Sequence, residues 1–116
     1  MISRLLKCSL ESGKNLHYCL FFCHLVIEKH LKALVVRRTS LVPPRTHDLE
    51  KLAKKAGLDL PVTDLDFLTE MTGFNLESRY PDERLKIYRR ATPEMTRKLF
   101  NKTIEIKKWI RKLVKQ

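Results

Sequence analysis

The residues best placed to do chemistry begin with a histidine at a helix entrance, in Pro43-Pro44-Arg45-Thr46-His47-Asp48-Leu49. Two prolines stop whatever precedes them. Thr46 and Asp48 are both cap-type residues, and Leu49 opens a periodic apolar segment. The positive end of a helix favours the neutral imidazole, the form that acts as a base. An imidazole at such a position can also meet an anionic ligand. An ordinary loop-to-helix junction looks the same, and there His47 packs or hydrogen-bonds to lock the Pro-Pro turn. Arg79-Tyr80 is the second candidate. A guanidinium holds phosphate through a fork of two hydrogen bonds, and a phenol ring stacks on a base. Its structural counterpart is a helix-end salt bridge beside a partly buried tyrosine. Metal-free RNA cleavage needs a base for the 2′-hydroxyl, an acid for the leaving oxygen and a cation for the charged phosphorane. His47 fits the base or acid, and Arg79 or Arg45 the cation.

A third group lies on one helical segment. Glu28 and Lys32 are one turn apart, with Lys29 beside them. Such a pair contributes only about 0.2–0.5 kcal/mol when exposed. In a segment this apolar it is drawn toward a dimer face or a pocket. His24 and Glu28 share the same one-turn spacing, which can place two ligands on a metal, and His17 lies two turns earlier. No further ligand cluster completes that set in sequence, so neither a metal nor any other cofactor is expected. Cys8, Cys19 and Cys23 contain no CxxC pair. Cys19 and Cys23 sit in an apolar run and read as small buried residues. An odd cysteine count without zinc spacing points to a reducing, cytoplasmic setting.

Composition narrows the field. At 116 residues, with 43% hydrophobic and 32% charged, the chain fits one globular domain spanning 1–116. Its unfavourable surface-to-volume ratio makes a dimer useful. Three glycines are too few for a β-rich fold or a glycine-rich phosphate loop. The formal charge of +11 divides into +7 for residues 1–58 and +4 for 59–116. That balance suits a polyanion or an acidic partner, and a merely lysine-rich solvated surface produces it as well. No signal peptide and no apolar run of membrane-spanning length is evident, so no membrane role is expected.

The elements that must position these residues read as helices throughout. Ile2, Leu5, Leu6 and Leu10 mark a first helix ending near Ser12-Gly13, with Asn15 as the next cap. A long core helix follows from about Leu16 to Arg38, carrying Leu16, Cys19, Leu20, Cys23, Val26, Ile27, Leu31, Leu34 and Val35. Phe21, Phe22 and Leu25 widen its stripe, so it is covered on more than one side. Arg37 and Arg38 complement its dipole. After the 39–47 linker, Leu49, Leu52, Ala53 and Ala56 form a short helix ended by Gly57. Thr63, with Asp66 three residues on, caps a fourth that runs through Leu65, Leu68, Met71 or Thr72, and Leu76 to a stop at Arg79-Tyr80-Pro81-Asp82. Residues 83–91 read as a short basic helical turn or loop. Thr92-Pro93 then starts a last helix to about Lys115, with Met95, Leu99, Ile106, Ile110 and Leu113 inward. Its other face is basic, from Arg97 and Lys98 to Lys112 and Lys115, and reads as a solvated face or a track for a phosphate backbone. Trp109 reads as core or interface rather than a stacking platform. The result is an all-α, up-and-down bundle of about five helices.

Three islands stand together in this layout: Glu28-Lys29 with Lys32-Ala33-Leu34, Pro44 through Leu49 with Leu52, and Arg79-Tyr80-Pro81-Asp82. In this order and spacing they resemble the HEPN family (higher eukaryotes and prokaryotes nucleotide-binding), from about Leu5 onward. The resemblance implies an up-and-down helical bundle, a homodimer, and a minimal nucleotidyltransferase as partner in a toxin–antitoxin-like pair. It also implies binding of nucleotide or RNA, with Lys29, Lys32, Arg45, His47, Arg79 and Tyr80 as the candidate contacts. The ribonuclease branch of the family carries an arginine followed four to six residues later by histidine, and cleaves RNA without metal. Here Arg37 and Arg38 lie too far before His47, Arg45 lies too close, and no histidine follows His47 for Arg79 to pair with. No firm catalytic residue is therefore assigned, and His47 and Arg79 stand as candidates only. A binding module is expected ahead of an endoribonuclease, and a helical adaptor without ligand is the third possibility.

Overall fold

A computed structural model describes residues 16–75 and 80–115. The expected first helix, the Asn15 cap, Leu76 and Arg79 lie outside the described residues. Within them the chain is helical, in the order α1 (Leu16–Thr39), α2 (Leu49–Lys55), α3 (Val62–Thr72), α4 (Pro81–Arg90) and α5 (Pro93–Lys115). The long helices α1 and α5 make the principal pairing. Helix α2 packs on α1 and α3, and α4 is held mainly by α1.

Helix α1 is the central element because its apolar residues go round the cylinder. Cys19, Leu20, Cys23, Ile27, Leu31, Leu34 and Val35 are all essentially inaccessible. Phe21 and Phe22 pack against the core from its flank. Helix α5 buries one stripe, Thr96, Leu99, Thr103, Ile106 and Ile110, at spacings of three and four, and turns its basic side to solvent. Trp109 is not core: it stands 38% exposed on α5. Cys19 and Cys23 are buried thiols outside any disulfide, as their surroundings suggested. The adjoining Cys19 and burial together push the Cys23 thiol up, which leaves it inert.

The short helix α2 has both ends closed. The Asp48 side chain accepts from Glu50 N (3.0 Å) and Lys51 N (3.3 Å). At the other end Leu58 N donates to Ala53 O (3.0 Å) around Gly57, whose φ is +76°. Arg38 does more than offset the dipole of its own helix: its Nη1 donates to Ala56 O (3.1 Å) and so satisfies a carbonyl at the end of α2.

Three boundaries differ from the sequence reading. Thr63 is not the cap of α3. The helix starts at Val62, and the Pro61 carbonyl takes the amides of Asp64 and Leu65 (3.0 and 3.1 Å). Thr63 then falls inside the first turn, where its hydroxyl is not needed. Helix α3 also stops at Thr72, well before the Pro81 that was to end it, and buries Phe67 along with Leu68 and Met71. Finally, 81–90 is a complete helix rather than a turn. Pro81 sits at its first positions, Asp82 and Glu83 favour its N-terminus, and Ile87 anchors it to the core. The proline that reads as a stop is a start.

Gly57 gives a direct test of the α2 closure. A Cβ there would meet nothing closer than Arg38 Nη1 at 3.8 Å, so only the backbone conformation opposes it. Gly57→Ala should cost about 1–2 kcal/mol in urea unfolding, with the helical spectrum of the folded protein unchanged.

Candidate functional site

The bundle brings one buried carboxylate to the end of the Pro-Pro linker. Glu28 faces inward from α1, with its side chain 9% exposed. His47, the last residue before the α2 cap, donates from Nδ1 to Glu28 Oε1 at 2.7 Å. Lys32, one turn further along α1, donates to Oε2 at 3.4 Å. His24, one turn back and fully buried, sets Nε2 at 3.1 Å from Oε1 and Nδ1 at 3.1 Å from the Met71 carbonyl in α3. Residues from α1, the linker and α3 therefore meet at one point.

Local structure explains why His47 arrives there. Pro43 and Pro44 restrict the linker, Thr46 N closes a tight turn onto Pro44 O (2.9 Å), and Thr46 Oγ1 accepts from Asp48 N (3.1 Å). Asp48 then starts α2, and Leu49 N donates to Thr72 Oγ1 in α3 (3.1 Å). Each bond removes freedom from the residues flanking His47. The imidazole itself remains 51% exposed on one side.

The electrostatics follow from burial. Burial alone would raise the pKa of Glu28. The hydrogen bond from His47, with the charges of Lys32, His47 and His24, outweighs that and holds it below the usual carboxylate range. Burial pushes His24 down, against the smaller opposing effects of Glu28 and the Met71 carbonyl. Because Glu28 accepts at His47 Nδ1, the neutral His47 ring keeps its lone pair on Nε2. That nitrogen has no partner among the described residues.

The sequence candidates separate accordingly. His47 and Lys32 are joined through Glu28. Lys29 and Arg45 are exposed on the adjoining helix and linker, outside this hydrogen-bond network. Tyr80 is 76% exposed at the N-terminal boundary of α4, which removes the partly buried reading of its ring, and Arg79 lies outside the described residues. His17 does not join His24 and Glu28. Its ring packs 4.2 Å from that of Tyr18 and 5.0 Å from that of Tyr88, by centroids. The sequence shows for Glu28 only its neighbours one turn away, Lys32 and His24, and not its place as hub, because His47 is 19 residues away and α3 contributes only a backbone oxygen. Donor atoms of His24, Glu28 and His47 lie within 4.8 Å of one another, the one such group of three among the described residues. A cleft of about 720 Å³ between α3 and α5 shares no residue with them.

The described chain is an all-α bundle. The chain matches the HEPN domain over residues 5–113, and it belongs to that family. Membership makes it, in general terms, a nucleotide- or RNA-related helical module. No curated protein and no solved structure is significantly similar to it. No helix among the described residues is long and apolar enough to cross a membrane.

The hub predicts an ordering of variants. Glu28→Gln removes the charge that His47 and Lys32 share and should destabilise the fold by about 1–3 kcal/mol. His47→Ala, at a half-exposed ring, should cost less. Denaturant midpoints of the two variants check this, and equal or reversed losses would remove Glu28 as the hub.

Proposed function

We propose that this chain is a HEPN-type nucleotide- or RNA-binding module that works as the helical partner of a minimal nucleotidyltransferase, in a toxin–antitoxin-like pair, as a homodimer. The observation that carries the binding reading is the presentation of His47. Its ring is held by Glu28 at 2.7 Å yet is half open to solvent, and Lys32, Lys29 and Arg45 supply positive charge on the helix and linker that flank it. A phosphate group suits such a rim, since each cation it meets releases a counterion. Arg79 and the exposed Tyr80 are further proposed contacts, as phosphate fork and stacking surface.

Labelled single-stranded RNA should bind at low salt with an affinity that falls steeply as salt rises. Replacing Lys29, Lys32 and Arg45 together should reduce the slope of log K against log salt by about 2, read by fluorescence anisotropy. No binding of nucleotide or RNA at low salt would end this reading. For the partner, the expected result is a complex with a minimal nucleotidyltransferase encoded beside this chain, stable through co-purification.

One observation favours a second reading, metal-independent RNA cleavage with Arg79 or Arg45 as the cation. Glu28 accepts a hydrogen bond from His47 Nδ1–H, which leaves Nε2 as the basic nitrogen, as in a carboxylate-oriented general base. RNA cleavage in the presence of chelator should then fall by about 10²–10⁴-fold in His47→Ala. Cleavage that persists unchanged in the variant assigns it to a contaminant.

A further inference from the structure

The fully buried His24 ring faces two acceptors. Its Nδ1 lies 3.1 Å from the Met71 carbonyl oxygen and its Nε2 lies 3.1 Å from Glu28 Oε1. A neutral imidazole has one N–H and can satisfy only one of them. The Met71 carbonyl belongs to the last turn of α3 and can only accept. With the N–H directed there, a nitrogen lone pair and a carboxylate oxygen look at each other across 3.1 Å. Something positive belongs between them, either a proton or a metal ion.

Three features favour a metal. His47 adds a third donor, Nδ1, at 2.7 Å from the same carboxylate oxygen, and all three donor atoms fall within 4.8 Å of one another. In a tetrahedral site with bonds near 2 Å, donor atoms sit about 3.3 Å apart. The two separations from Glu28 Oε1, 3.1 Å to His24 and 2.7 Å to His47, therefore need only small outward shifts of the rings and carboxylate. The Met71 carbonyl already makes the bond that orients a metal-bound histidine from behind and fixes which nitrogen coordinates. The burial gradient runs from His24 at 0% through Glu28 at 9% to His47 at 51% side-chain exposure. That leaves a solvent-facing side for entry and for a fourth, water ligand. Two imidazoles and one carboxylate suit zinc, and cobalt as its spectroscopic substitute. Lys32 works against the ion, because its ammonium lies 3.4 Å from Glu28 Oε2. It occupies the other carboxylate oxygen, however, and its side chain is 28% exposed and able to swing away.

We infer that His24 Nε2, Glu28 Oε1 and His47 Nδ1 form a binding site for a divalent transition-metal ion of the zinc class. The site shares His47 with the RNA-binding reading but does not depend on it, and it is tested without nucleic acid. Untagged, chelator-treated full chain is titrated with Zn²⁺ by calorimetry, and with Co²⁺ by visible absorption. One ion per chain should bind and raise the thermal midpoint. The cobalt spectrum should show nitrogen–oxygen ligation, with no thiolate charge-transfer band. His47→Ala should lower zinc affinity by about 10–100-fold or more, while Lys32→Ala should raise it. No binding, unchanged affinity in His47→Ala, or a thiolate band in the wild-type cobalt spectrum would each overturn the assignment. The first outcome leaves a proton as the bridging charge, and the last moves the ion to the cysteines.

Discussion

The arrangement of this bundle turns on the burial of one carboxylate. A charged glutamate withdrawn from water is costly unless its oxygens are hydrogen-bonded and its charge is matched. Glu28 is almost covered, and it is approached from three directions: His24 from one turn before, Lys32 from one turn after, and His47 from the next element. The first two come with the helix. The third can only come from folding, which is why this contact constrains the tertiary structure while the others do not. A bundle assembled with the linker elsewhere would leave Glu28 short of its closest partner.

The constraint spreads outward from that point. His47 is joined to Asp48, and Asp48 opens α2, so fixing the imidazole also fixes where α2 begins. Thr72 then ties the first amide of α2 to the end of α3, and Met71, next to it, offers its carbonyl to His24. Arg38 closes the far end of α2 from α1. A helix of only seven residues is too short to be stable alone. Here polar bonds at both ends and the apolar contacts of Leu49, Leu52 and Ala53 hold it on the core. The Pro-Pro junction is thus a structural joint and a presenting element at once. The same bonds that lock it leave one face of His47 in solvent.

How far the sequence revealed this depends on the range of the interaction. Local signals were legible. The apolar periodicity of α1 and α5, the Asp48 cap and the Gly57 stop are all written within a few residues, and they match the structure. Thr92 accepts from Met95 N at 3.2 Å, as its place before Pro93 implies. Signals of mixed sign misled. Pro81 can end one helix or begin another, and only the packing of Ile87 decides that 81–90 is a helix. Thr63 has the right chemistry for a cap, but Pro61 already points its carbonyl along the helix. Non-local geometry was not legible at all. The 24–28 spacing is visible in the chain, whereas its meeting with residue 47 and with a backbone oxygen at 71 has no sequence signature.

The two chemistries available to His47 make opposite demands on one ring. As a base in RNA cleavage it must keep Nδ1–H on Glu28 and offer a free lone pair at Nε2. As a metal ligand it must be in the other tautomer, with its single N–H on Nε2 and the Nδ1 lone pair offered to the ion. The ring is then a donor toward solvent. A donor at that position can hold a phosphate oxygen but cannot abstract a proton. Metal occupancy would therefore turn the exposed edge of His47 from base to anion contact, without moving the helices. This fits a chain that lacks the arginine spacing of the ribonuclease branch and keeps lysines and an arginine on the elements that flank the ring.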